Sequence, residues 1–194
     1  MKSKKSSASM TLLFGVGILF LWMSMGMAQT AKKAATHYKY VGVKTCKMCH
    51  NNPAKGKQFA IWKSSKHATA YATLATAEAK KLAKAKGITD PQKSPECLKC
   101  HVTGYGLPKA DFTPKYNMEN GVTCEACHGP GSGYWKYSTM KKIYKGKIKP
   151  GTVGLTLPNA KTCETCHNPE SPSYKKFVFA KYWAKIAHDI PKKK

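Results

Sequence analysis

Eight cysteines fall into four frames of one pattern: Cys46-Lys47-Met48-Cys49-His50, Cys97-Leu98-Lys99-Cys100-His101, Cys124-Glu125-Ala126-Cys127-His128 and Cys163-Glu164-Thr165-Cys166-His167. No cysteine is left over. Two thiols separated by two residues and followed at once by an imidazole make the attachment spacing of c-type haem. The thiols form thioethers with the two vinyl groups, and the adjacent histidine is held under the iron as its axial ligand. Paired thiolate knuckles for zinc would not explain a histidine after every second cysteine. A redox dithiol needs one such pair rather than four, and a disulfide framework does not favour one repeated spacing. The frames therefore predict four covalent haems, with Cys46, Cys49, Cys97, Cys100, Cys124, Cys127, Cys163 and Cys166 as anchors. His50, His101, His128 and His167 are the expected iron ligands.

The second position on each iron must be filled from what remains. Only His37, His67 and His188 are left, so at most three irons can carry two histidines from this chain. His67 follows Trp62-Lys63-Ser64-Ser65-Lys66, and His188 closes an aromatic-rich segment; both are expected as distal ligands, the usual partners in low-potential carriers. His37 sits near the start of the mature chain and reads first as a surface residue. Met140, in Tyr137-Ser138-Thr139-Met140-Lys141, reads either as core filler or as a thioether ligand, which would raise the potential of its haem.

The elements that must hold these groups are short. Residues 52–87 are rich in alanine and lysine, with Phe59, Trp62, Tyr71 and Leu74 at helical spacing, and predict a helix interrupted near Ser64-Ser65. Gly87 and Asp90-Pro91 stop it. The segments 97–106 and 124–133 end in glycine-rich turns, expected to let the backbone approach a haem face. A closing helix is predicted from about Tyr174 to His188. Strand signals are scarce, so the expected class is mainly α: a multihaem cytochrome with few or no strands, long loops and a haem-packed core.

Composition agrees with that core. The chain has 194 residues, of which 42% are hydrophobic, enough for one domain but for only a thin interior of side chains. The formal charge is +25, and all 34 basic residues are lysine. Without arginine, forked reading of phosphates or bases is disfavoured, and charge alone gives only non-specific affinity, so no nucleic-acid partner is expected. Met1-Lys2-Ser3-Lys4-Lys5, an apolar run through Met27 and the small residues around Ala28 make an export signal. Residues 1–28 are expected to be removed, leaving 29–194 as a single tetrahaem domain in the periplasm or cell envelope. The alternative is an uncleaved anchor, which would bring the chain to the membrane.

The order Tyr40-Val41-Gly42, Cys46-x-x-Cys49-His50, Trp62-x-x-Ser65-x-His67-Ala68, Glu96-Cys97-x-x-Cys100-His101-Val102-x-Gly104-Tyr105-Gly106, Gly121-Val122-x-Cys124-Glu125-x-Cys127-His128-Gly129-Pro130-Gly131 and a last Cys163-x-x-Cys166-His167 resembles the tetrahaem cytochrome c-554 family. The resemblance implies a mostly helical fold with porphyrins in stacked and perpendicular pairs, three bis-histidine haems and one open one. It assigns His67 to the third haem, His188 to the fourth, and the open position to the second haem, on His101. The family's remaining distal histidine follows the Gly-Pro-Gly turn, where this chain has none. The first haem, on His50, is then ligated by Met140, served by His37, or open.

The expected function is electron transfer between redox partners, with lysines steering an acidic docking surface. Two alternatives remain: a haem enzyme reducing a small nitrogen oxide or similar ligand at an open iron, and a subunit of an extracellular cytochrome wire. No catalytic constellation stands out, so a carrier is favoured over an enzyme.

Overall fold

The computed structural model describes residues 36–188, and the export segment lies outside them. Nine short α-helices are found there: α1 Val43–His50, α2 Gln58–Ser64, α3 Ala70–Thr73, α4 Ala77–Ala85, α5 Pro95–His101, α6 Cys124–His128, α7 Tyr137–Tyr144, α8 Ala160–Glu164 and α9 Phe179–Trp183. Single 3₁₀ turns and long loops join them. Among the described residues there is no strand, only an isolated parallel bridge between Tyr40 and Phe112. The mainly α class stands. Among these residues no helix is long and apolar enough to cross a membrane.

Two predicted helices are shorter than their composition suggests. The stretch 52–87 breaks more than once: α2 ends where Ser65 turns extended, at φ −86° and ψ 160°, and Thr76 is extended before it caps α4 through its hydroxyl on the Ala79 N–H. Alanine and lysine favour helix wherever the chain is free, but tertiary packing decides where it stops. The closing helix is only Phe179–Trp183, because the chain through Val178 is extended and sets Phe177 against His167.

The interior of side chains is thin. Leu74, Leu98 and Val102 form the main buried cluster, with Tyr71, Cys97 and Tyr105 packed on it. Around it the loops are tied by polar groups. Thr103 and Thr123 are both buried. The Thr103 hydroxyl lies 3.0 Å from that of Thr123 and accepts the Thr123 N–H at 2.7 Å, which fastens the end of the second frame to the start of the third. α1 packs on α2 and α6, and α3 on α5.

Candidate functional site

Three of the four frames form a complete helical turn: α1 and α5 end on His50 and His101, and α6 is the third frame itself, Cys124–His128. In this form the two thiols and the imidazole share one side of the helix, as a single macrocycle requires. The fourth frame is looser. α8 stops at Glu164, so Cys166 and His167 lie in the turn beyond it.

Each proximal ring of the helical frames is oriented through Nδ1. His128 meets the Thr156 carbonyl at 3.1 Å, His101 meets that of Ala70 at 2.7 Å, and His50 lies 3.4 Å from Gln58 Oε1. A bond at Nδ1 selects the tautomer that leaves Nε2 as the metal-binding nitrogen. Burial lowers the pKa of His128, His67 and His167, favouring the neutral ring that ligates iron. His167 is held by rings instead: Phe177 stacks on it at 5.1 Å and Tyr182 lies at 6.1 Å.

Two histidines that belong to no frame face frame histidines. The ring centres of His67 and His167 are 6.0 Å apart, and those of His128 and His188 are 5.8 Å apart. With a metal–nitrogen bond of about 2 Å on each side, two imidazoles across one iron have centres roughly 6 Å apart. The residues present therefore fit haem. When bound, haem supplies an iron that changes oxidation state by one electron.

This pairing is crossed relative to the expectation, which assigned His67 to the third haem and His188 to the fourth. The cause is long-range packing. The end of α5 lies against the fourth frame, where Lys99 is paired with Glu170 and Cys100 neighbours Cys166. The His101–Ala70 bond holds the turn carrying His67 on that same side. The closing segment passes His167 at Tyr182 and delivers His188 to His128.

His37 is not brought to any frame: its Nε2 lies 2.7 Å from Asp111 Oδ1. Met140 lies half-buried on α7. The glycine turn after the third frame approaches protein rather than a haem face. A Cβ on Gly129, at φ +75°, would stand 2.6 Å from the Gly154 carbonyl, and one on Gly133 would stand 2.4 Å from the Tyr38 ring.

The thiols of different frames lie side by side. Cys46 hydrogen-bonds Cys124, which with burial raises the Cys46 pKa. Burial pushes Cys127 up to about 11, with Cys163 adding to it, and pushes Cys100 up to about 11, with Cys166 adding. None of the eight cysteines is paired in a disulfide.

One residue had no signal as a site residue. Glu125, an interior position of the third frame, is 2% exposed. Its carboxylate accepts the backbone N–H groups of Val41 at 2.8 Å, Gly42 at 2.8 Å and Gly131 at 2.7 Å. Burial pushes its pKa above the usual carboxylate range, and the three donors oppose that shift. It clasps the lead-in segment and the glycine turn to the frame.

The family model for cytochrome c554 and c-prime matches residues 45–129, which contain the first three frames. Cytochrome c-554 of Nitrosomonas europaea is 37% identical over 112 residues, covering 54% of this chain and 44% of that protein. No solved structure matches. Over residues 45–129 the chain is thus similar to the cytochrome c554 and c-prime family, and it spans less than half the length of the curated relative it matches.

Proposed function

We propose that this chain is an exported carrier of electrons, with four c-type haems in one small domain and acidic redox partners in the periplasm or cell envelope. The observation that carries the reading is that two histidines outside the frames face frame histidines, His67 with His167 at 6.0 Å and His188 with His128 at 5.8 Å between ring centres. His188 and His67 serve as second ligands on the third and fourth irons. Two histidines on an iron favour a low-spin centre that exchanges electrons rather than substrates.

The lysine excess supports partners of opposite sign. Long-range attraction speeds encounter and weakens with salt, which suits brief docking. Lysine's hydrated, flexible ammonium suits contacts that must release quickly. Residues 1–28 support export, and a lesser reading, in which a small ligand binds iron, is supported by the lack, among the described residues, of a histidine ring facing His101 or His50.

A pyridine haemochrome assay on the purified holoprotein tests the carrier's foundation. Four haems per chain are expected, and fewer would overturn the reading.

A further inference from the structure

Two exposed apolar side chains flank the third frame. The frame's histidine is held by two residues that follow it in the chain. The Tyr134 hydroxyl donates to the carbonyls of His128 at 3.2 Å and Gly129 at 2.7 Å. Thr156 donates its N–H to the His128 carbonyl at 3.0 Å and its hydroxyl to the Cys127 carbonyl at 2.8 Å, while its own carbonyl meets His128 Nδ1 at 3.1 Å. The residues next along the chain from these two, Trp135 and Leu157, are 41% and 69% exposed.

Both are firmly placed. The Trp135 N–H donates to the Gly131 carbonyl at 2.9 Å. The segments that carry them pack side by side, since a Cβ on Gly129 would stand 2.6 Å from the Gly154 carbonyl and one on Gly133 would stand 2.3 Å from that of Val153. Leu157 also follows the residue that takes Nδ1 of His128, on the side of the ring away from the nitrogen that ligates iron. A single exposed apolar residue is ordinary, but here two accompany one haem anchor.

Charge identifies what would cover them. Between Trp135 and Leu157 the chain has six lysines, all exposed, and no acidic residue. The flanking acids are Glu125, buried and spent on backbone donors, and Glu164. Among the described residues none of the six lysines belongs to an ion pair. An apolar centre with a charged rim is the anatomy of a protein interface, and tryptophan is a favoured anchor there. A second copy of this chain would bring the same sign of charge. A helix lying on an anionic membrane turns its apolar side outward, whereas α7 keeps Met140 and Ile143 half-buried and exposes Lys141 and Lys142.

We propose that the exposed side of segment 135–157 is the surface on which an acidic redox protein docks to exchange electrons with the haem on His128. One electron crosses per encounter: a reduced partner loses it, the ferric iron becomes ferrous, and no bond forms or breaks. The inference rests on the carrier reading above and names the face and the haem at which that carrier is met.

The test follows reduction of the oxidised holoprotein by reduced plant-type ferredoxin, an acidic one-electron donor, in stopped flow at several ionic strengths. Lys141→Glu, Lys142→Glu and Lys145→Glu together should slow it about tenfold at low salt and flatten its salt dependence. Lys80→Glu, Lys81→Glu and Lys84→Glu on α4 change the net charge equally and should slow it roughly twofold at most. Trp135→Ala with Leu157→Ala should keep the salt dependence and raise the ferredoxin concentration needed for half the limiting rate about tenfold. Haem content and reduction by neutral lumiflavin semiquinone, which needs no docking, should hold at wild-type values throughout. Equal slowing by the two lysine sets overturns the inference and leaves the acidic-partner reading standing, whereas a wild-type rate indifferent to salt breaks both. A fall in haem content or in the lumiflavin rate on losing Trp135 and Leu157 would mean that they pack on haem, which also overturns it. So does binding to anionic phospholipid vesicles that the α7 reversals abolish while the ferredoxin rate holds.

Discussion

The third and fourth frames carry the same five-residue pattern but are held by different physics. The third is fastened by the polypeptide: its Glu125 is 2% exposed and accepts three backbone N–H groups from two other segments, while its Thr123 is locked onto Thr103. The fourth has no buried residue in α8. It is capped locally by Asn159 and Thr162, braced by the surface pair Lys99–Glu170, and faced by Phe177 and Tyr182. A haem site can thus be shaped in advance by buried hydrogen bonds, or assembled from rings that pack around the ligand. In the first case the backbone supplies the rigidity; in the second the macrocycle must supply much of it.

Removing Glu125 is the most damaging way to break that contrast. Glu125→Ala leaves three backbone donors without their acceptor, at about 1–3 kcal/mol for each group that stays buried and unpaired. The expected outcome is near-complete loss of haem-loaded protein, read as haem per chain and as thermal midpoint. Glu125→Gln should recover part of it, because the amide oxygen still accepts. An unchanged midpoint in the alanine variant would show that the clasp carries little of the fold.

The fourth frame should respond more mildly. Phe177→Ala removes the ring stacked on His167 at 5.1 Å and its contact with Tyr182 at 5.0 Å. Such aromatic contacts contribute about 0.5–1.5 kcal/mol beyond area burial. The protein should remain loaded, with a small fall in midpoint and a broadened low-spin signal from one iron. A loss as severe as that of Glu125→Ala would erase the distinction between the frames.

Lys99→Ala should do least. Its pair with Glu170 is exposed to solvent, where such contacts are screened and entropically costly. No measurable change in midpoint is expected at physiological salt, and a clear fall would mean that the pair locks the second frame to the fourth.

The haem frames were legible because covalent attachment writes its requirement into five consecutive residues. The mainly α class followed from the scarcity of strand signals. What local reading missed depends on residues distant in sequence. The crossed assignment of His67 and His188 arises from α5 lying against the fourth frame, a contact with no mark in either segment. His37 reads first as a surface residue, and its side chain is 64% exposed, but its partner Asp111, 74 positions away, has no mark in the sequence around it. Glu125 stands in the sequence only as one position of the third frame. The one hint was compositional: it is among only 9 acidic residues in a strongly basic chain, and a carboxylate inside a haem frame has to find donors somewhere. The overlong helix predictions fail for the reason that propensity describes a free chain, whereas Ser65 and Val178 are set by what they pack against.

The Glu125 clasp also imposes a timetable. Synthesis runs from the N-terminus, and the bonds to Val41 and Gly42 span 84 and 83 positions. The lead-in and the first frame therefore emerge long before the carboxylate that will fasten them exists. During that interval the lead-in and the first frame are held only by contacts made within the part of the chain already present. A buried hydrogen bond that looks purely static in the finished molecule thus sets an order of assembly, with the earliest segment secured only after the third frame has been made.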